Sequence, residues 1–142
     1  MRIVKLAAAL LSLALATPAL AEEPFKVIAN PEVSTDALSR SQLSDLFLKR
    51  TTTWPGGGKV VPVNLSEDSR TYEVFCQSVH GKPGSLIHTF WKRVAASGRD
   101  TPPAVRHSDE DVVAFVRSTR GAIGYVSAAA PTPGVKVIRV GN

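Results

Sequence analysis

Strand-patterned and helix-patterned runs alternate along this chain, and that alternation, more than any single motif, limits what it can fold into. "FKVIANPEV" opens with β-favouring residues and stops at Asn30-Pro31, a strand running into a turn. "LSRSQLSDLFLKR" then carries a full set of helix-start signals. Ser39 and Gln42 stand at capping-box spacing, Leu38 and Leu43 at hydrophobic-staple spacing. Leu43, Leu46 and Phe47 share one face, and Lys49 and Arg50 suit the negative end of the helix dipole. "TTTWPGGGK" is a loop whose glycines lack the Gly-Lys-Ser/Thr continuation of a phosphate-binding loop, and "KVVPVNL" is a short apolar strand. Tyr72, Phe75, Cys76 and Val79 form a helical stripe that "GKPG" breaks; Ile87, Phe90, Trp91 and Val94 form a second, ending at Gly98. After the proline loop "GRDTPPAV", Ser108 and Asp111 have capping-box spacing, Asp109 and Glu110 load the positive helix end, and Val112, Val113 and Val116 supply a buried face. "AIGYVS" and "VKVIRV" are strands joined by "PTPG". The order β, α, β, α, α, α, β, β predicts an α/β layer with a mostly parallel sheet flanked by helices.

The first residues are set apart from this pattern. Arg2 and Lys5 precede the apolar run "LAAALLSLALATPAL", and Ala19-Leu20-Ala21 before Glu22 has the small-x-small form read by signal peptidase. Residues 1–21 are therefore expected to be a cleaved signal peptide rather than a membrane anchor, and no cysteine follows the cleavage site to take a lipid. Residues 22–142, 121 of the 142, are expected to form one exported, periplasmic domain, a length sufficient for a single core. Of the 17 Lys and Arg, the leader removes two, leaving 15 against 12 acidic residues and a formal charge of +3. That balance suits small anions. It lacks the clustered basic stripe with interleaved aromatics that nucleic-acid binding requires. The single Cys76 excludes an intramolecular disulfide, so packing must hold the fold.

One stretch has the composition of a ligand site. In "NLSEDSRTYEVF" (Asn64 to Phe75), Ser66, Ser69 and Thr71 offer hydroxyls and Arg70 a guanidinium, directly ahead of a helical stripe. Unpaired amides and the positive end of a helix dipole can hold an oxyanion there. The same residues also read as an ordinary cap, with Asp68 or Ser69 at the N-cap, and Glu67 and Asp68 repel an anion unless they point away. Other chemistry is thinner. Cys76 and His80 stand one helical turn apart, but Cys76 lies on the apolar stripe, and a histidine before Gly81 reads as a favourable terminal charge. His88 and His107 form no ligand spacing, and Trp54 and Trp91 read as packing residues. No paired carboxylates, serine triad, metal set or cofactor motif stands out, so an enzyme is not expected.

The run "LSRSQLSDLFLKRTTTWPGGGKVVPVNLSEDSRTYEVF" resembles the segment of periplasmic phosphate-binding proteins in which a helix leads through a tryptophan loop to a Val-Pro-Val strand and a Ser-Gly-Thr helix start. "GAIGYVS" (Gly121 to Ser127) resembles the Gly-Ile-Gly-Tyr strand by which those chains leave the same lobe. The resemblance implies one lobe of a type 2 periplasmic solute-binding fold, like the substrate-binding component of a phosphate ABC transporter. It implies Ser69 and Thr71 as contacts to phosphate or a similar oxyanion, with Arg70 at the intervening position. The sequence departs from that pattern twice. Arg70 replaces the glycine, and Leu65 stands where phosphate-specific members place an arginine. Only one of the family's two lobes has a counterpart, which implies that a second copy of the chain or a periplasmic protein partner completes the cleft. The alternative is an interaction module that kept the lobe and lost the ligand.

Overall fold

A computed structural model describes residues 24–142, so the expected signal peptide and its cleavage point lie outside the described residues. The chain runs β1 (Phe25–Ala29), β2 (Ala37–Ser39), α1 (Arg40–Phe47), β3 (Val61–Leu65), α2 (Arg70–Phe75), α3 (Gly84–Ala96), β4 (Ala104–Arg106), α4 (Asp109–Ser118), β5 (Ala122–Ser127) and β6 (Lys136–Gly141), with a π-helical turn, Cys76–His80, extending α2. The strands form one six-stranded sheet in the order β2-β6-β1-β5-β3-β4. The result is an α/β lobe with helices on both faces, as the alternation predicts. Three of the pairings, β2 with β6, β3 with β4 and β3 with β5, are parallel. The other two are antiparallel because β1 lies between β5 and β6 and runs against both. The chain entering through β1 and the strands that follow it therefore meet in the middle of the sheet.

The two faces have different fillings. Phe25, Phe47, Phe75 and Tyr125 make an aromatic cluster on one face. There the Phe75 and Tyr125 rings stack 3.8 Å apart within 4° of parallel, and Phe47 meets Phe75 edge-on at 4.9 Å. The other face is aliphatic. Gly124 leaves room there for Val112 and Val116 of α4 to sit on Val63, and a methyl group at position 124 would come within 2.8 Å of the Val63 side chain. Asn30, the buried polar residue at the end of β1, donates through its amide to the carbonyls of Val116 (3.0 Å) and Arg117 (3.1 Å), which ends α4, and accepts from Glu32 N–H.

The helix starts follow the sequence closely. Ser39 caps α1 in a complete capping box with Gln42. Ser108 caps α4 by accepting from Asp111 N–H, while Asp109 turns instead to Ser127, accepting from its amide (3.2 Å) and its hydroxyl (2.6 Å). Lys49 and Arg50 lie beyond the last turn of α1 rather than in it. Lys49 adopts φ 57° and donates to Thr101 carbonyl at 2.8 Å. Two strands, β2 and β4, fall where only a helix approach and a proline loop are expected; each is three residues long and pairs with a single neighbour.

Candidate anion site at the start of α2

Tyr125 fixes the end of β3. Its hydroxyl donates to Asn64 Oδ1 at 3.0 Å and accepts from Leu65 N–H at 3.3 Å, so the last residues of β3 are pinned to β5 from below. Burial raises the Tyr125 pKa well above the ordinary phenol value, which keeps that donor protonated. Ser66 N–H then donates to Arg106 carbonyl (3.0 Å) and Ser69 N–H to Ser66 carbonyl (2.9 Å), closing a tight turn into α2.

At the head of α2, Ser69 is the N-cap. It is extended (φ −75°, ψ 133°), and its Oγ accepts from Tyr72 N–H at 3.4 Å. Capping occupies the oxygen's lone pair and leaves the hydroxyl proton free to donate, so cap and cradle are compatible in one residue. Among the described residues, no hydrogen bond or ion pair engages the Arg70 guanidinium or the Thr71 hydroxyl. Arg70 is exposed and Thr71 half-buried. The first amides of a helix have no intrahelical acceptor, so Arg70 and Thr71 present N–H groups beside these side chains.

Each acidic neighbour has a partner. Asp68 Oδ1 accepts from Ser66 hydroxyl at 2.5 Å, and Glu67 Oε1 meets His88 Nδ1 on α3. Glu73, further along, accepts from Gly84 N–H (3.0 Å) and from Gln77 (2.8 Å). Ser66 is thus drawn into the turn as a donor to Asp68, while Ser69, Arg70 and Thr71 stay open to solvent as a group. Leu65 is 3% exposed and packs in the core, so no charge comes from that position.

Cys76 and His80 do not form a site. Cys76 is buried, and desolvation pushes its thiol up to about 11. His80 bonds through Nδ1 to Ser44 Oγ on α1 at 2.8 Å and lies edge-on to Phe75. Burial, then the Arg50 charge, brings its pKa down to about 4, so it is a neutral packing residue rather than the terminal charge expected from sequence. No group of three or more His, Cys, Asp or Glu side chains among the described residues could hold a metal. The Ser44–His80 and Glu67–His88 contacts join residues 36 and 21 positions apart, and no local spacing announces either.

Fold and site together define an α/β lobe whose third strand leads into a helix start carrying an exposed arginine between a serine and a threonine. Solved structures of that fold carry a shared description. A structure from Clostridium perfringens described as a phosphate ABC transporter substrate-binding protein with bound phosphate matches at TM-score 0.65 and 20% identity, over 82% of this chain and 44% of that one. An ABC-type phosphate transport receptor from Vibrio cholerae matches at 0.64 and 19%, over 82% and 46%. A high-affinity periplasmic phosphate-binding protein, PfluDING, bound with phosphate, matches at 0.61 and 23%, over 84% and 37%. At these identities the likeness establishes the fold, and the resemblance read from the sequence holds at that level. The chain spans less than half the length of each of these proteins. No protein-family model and no curated protein matches it.

Proposed function

We propose that this chain is an exported binding module for phosphate or a similar oxyanion, held by Ser69, Arg70 and Thr71, and that it supplies one side of a cleft. The observation that carries this reading is the triad at the start of α2: a capping serine with a free proton and, among the described residues, an unpaired guanidinium and an unpaired threonine hydroxyl, with Asp68 accepting from Ser66 and Glu67 meeting His88. Arg70 stands in for the charge that Leu65 does not supply. The site works by binding alone and assigns no residue a catalytic role. Export by cleavage after Ala21 and a periplasmic location belong to the same reading, and among the described residues no helix is long and apolar enough to cross a membrane.

A single face leaves the anion partly hydrated, where charge pairs are weak. The expected affinity is therefore millimolar, about −4 kcal/mol, unless a second copy or a partner closes over it. Thermal unfolding tests this. Phosphate at about a hundred times that dissociation constant stabilises by about 2.7 kcal/mol, raising the melting temperature by several degrees over chloride at equal ionic strength. Arg70→Gln removes most of the rise. Equal melting in phosphate and chloride rejects the reading.

The burial of Leu65 favours a second reading, in which the lobe serves as a protein-interaction module without a ligand. A solution mass showing a homodimer or a stable complex, unaffected by phosphate, together with no phosphate-induced stabilisation, supports that alternative.

A further inference from the structure

Charge is not spread evenly along this chain. Between Glu73 and Asp100 the sequence has no acidic residue, while Lys82, Lys92, Arg93 and Arg99 all fall there, and all four are exposed. The segment includes α3. Ile87, Trp91 and Val94 bury the inner side of that helix, and Leu86, Phe90 and Arg93 follow at i, i+4 and i+7 along another, with Leu86 and Arg93 exposed and Phe90 half-buried. Leu86, 52% exposed, is the most exposed large apolar side chain among the described residues. Lys82 lies just ahead of the helix and Arg99 just beyond it, where Arg99 shares a shallow depression with Phe90. Cations thus bracket two apolar side chains over about 20 Å of helix.

The neighbouring carboxylates have other partners. Asp100 pairs with Lys49 at 3.6 Å, Asp45 pairs with Arg50 at 3.7 Å, and Glu73 accepts from Gly84 N–H and from Gln77. Lys82, Arg93 and Arg99 have no ion pair among the described residues; the Arg99 Nε–H donates to Ser97 Oγ. Lys92 shares a pocket wall with Glu67 and is left out of the stripe.

These features separate one kind of partner from others. A small anion meets one of three cations spread over such a length, and a convex helix face offers a peptide no groove. A bilayer with anionic headgroups meets all three cations at once and takes Leu86 and Phe90 into the boundary beneath the headgroups. We propose that the stripe Lys82, Leu86, Phe90 and Arg93, together with Arg99, is a docking surface for an anionic lipid bilayer, on which the folded lobe lies peripherally.

Cosedimentation with vesicles tests this, using residues 22–142, because the described residues hold a core of their own and the apolar first residues would bind lipid by themselves. The chain is expected to partition onto vesicles of phosphatidylglycerol and phosphatidylcholine, less so as salt is raised, and not onto phosphatidylcholine alone. Arg93→Gln and Arg99→Gln should each lower that partitioning by about fivefold, whereas Arg117→Gln, which removes an exposed cation from α4, should leave it near the parent value. Leu86→Trp reads the apolar contact. Trp54 and Trp91 are buried, so the added indole should dominate a blue shift of emission on the mixed vesicles, and melting temperatures report whether each variant keeps its fold. Equal partitioning onto both kinds of vesicle, no partitioning onto either whatever acidic proteins the chain captures, or an Arg117→Gln loss as large as that of Arg93→Gln overturns the proposal.

Discussion

Ser69 is asked to do two things with one hydroxyl. Its oxygen caps α2 through Tyr72 N–H, and its proton remains for a ligand. The roles separate by substitution. Ser69→Ala loses both, costing about 1 kcal/mol of stability and weakening phosphate binding. Ser69→Asp keeps a capping acceptor and places a negative charge in the cradle, so it should unfold within a few tenths of a kcal/mol of the parent in urea yet lose the response to phosphate. Unchanged phosphate stabilisation in Ser69→Asp contradicts a role for this residue in anion binding. His80 supplies a pH prediction. Its pKa is about 4 in the folded chain, against about 6.5 when unfolded, because burial disfavours the imidazolium. The unfolded chain thus binds the extra proton first as pH falls. Stability from this group is fully present above about pH 6.5 and is lost progressively down to pH 4, on the order of 2–3 kcal/mol. His80→Gln, which keeps a neutral hydrogen-bond partner for Ser44, should flatten the urea midpoint between pH 7 and 4.5. An identical slope in that variant assigns the acid lability to other groups.

At the scale of elements, the run Gly-Ala-Ile-Gly-Tyr shows how a motif is built by packing. Gly121 has φ 78°, and a methyl group on it would lie 2.1 Å from Lys59 carbonyl, while its own carbonyl accepts from Val61 N–H (3.1 Å) and from the Trp54 indole (3.0 Å). Gly124 admits α4, and Tyr125 pins the end of β3. Gly121→Ala should therefore cost about 2–4 kcal/mol, through strain and a backbone clash, and Gly124→Ala about 1–3 kcal/mol through overpacking against Val63, Val112 and Val116. Denaturation midpoints that stay within experimental scatter of the parent for both would refute this account of the motif. What was legible in the sequence follows the same division. The caps at Ser39, Ser69 and Ser108 and the stripes of α1, α3 and α4 are local signals, and they appear in place. β2 and β4 were not legible because three residues are too few for a period. They exist only because β6 and β3 offer them an edge. The candidate site was half legible. Residue types at positions 66–71 showed in sequence, and the Ser66–Asp68 contact is local, but Glu67 meets His88, 21 residues away, which only the folded chain brings to it.

At the scale of the molecule, the described residues make one lobe with a hydrophobic core built on a mixed sheet, and solved phosphate-binding proteins share that fold over less than half their length. Two consequences follow for the chain as a whole. The proposed cleavage after Ala21 would give an exported form that begins at Glu22, which an intact-mass measurement of periplasmic material reads directly; a retained leader contradicts it. An open face predicts weak, fast-exchanging binding of phosphate, strengthened if a second subunit covers it. The central claim is that the amides and side chains of Ser69, Arg70 and Thr71 converge on an oxyanion. Amide-resolved NMR titration with phosphate, against chloride at matched ionic strength, addresses it residue by residue. The account predicts saturable millimolar shifts centred on the Arg70 and Thr71 amides, lost in Arg70→Gln; amides at positions 69–71 that stay still, or move no more than in chloride, would contradict it.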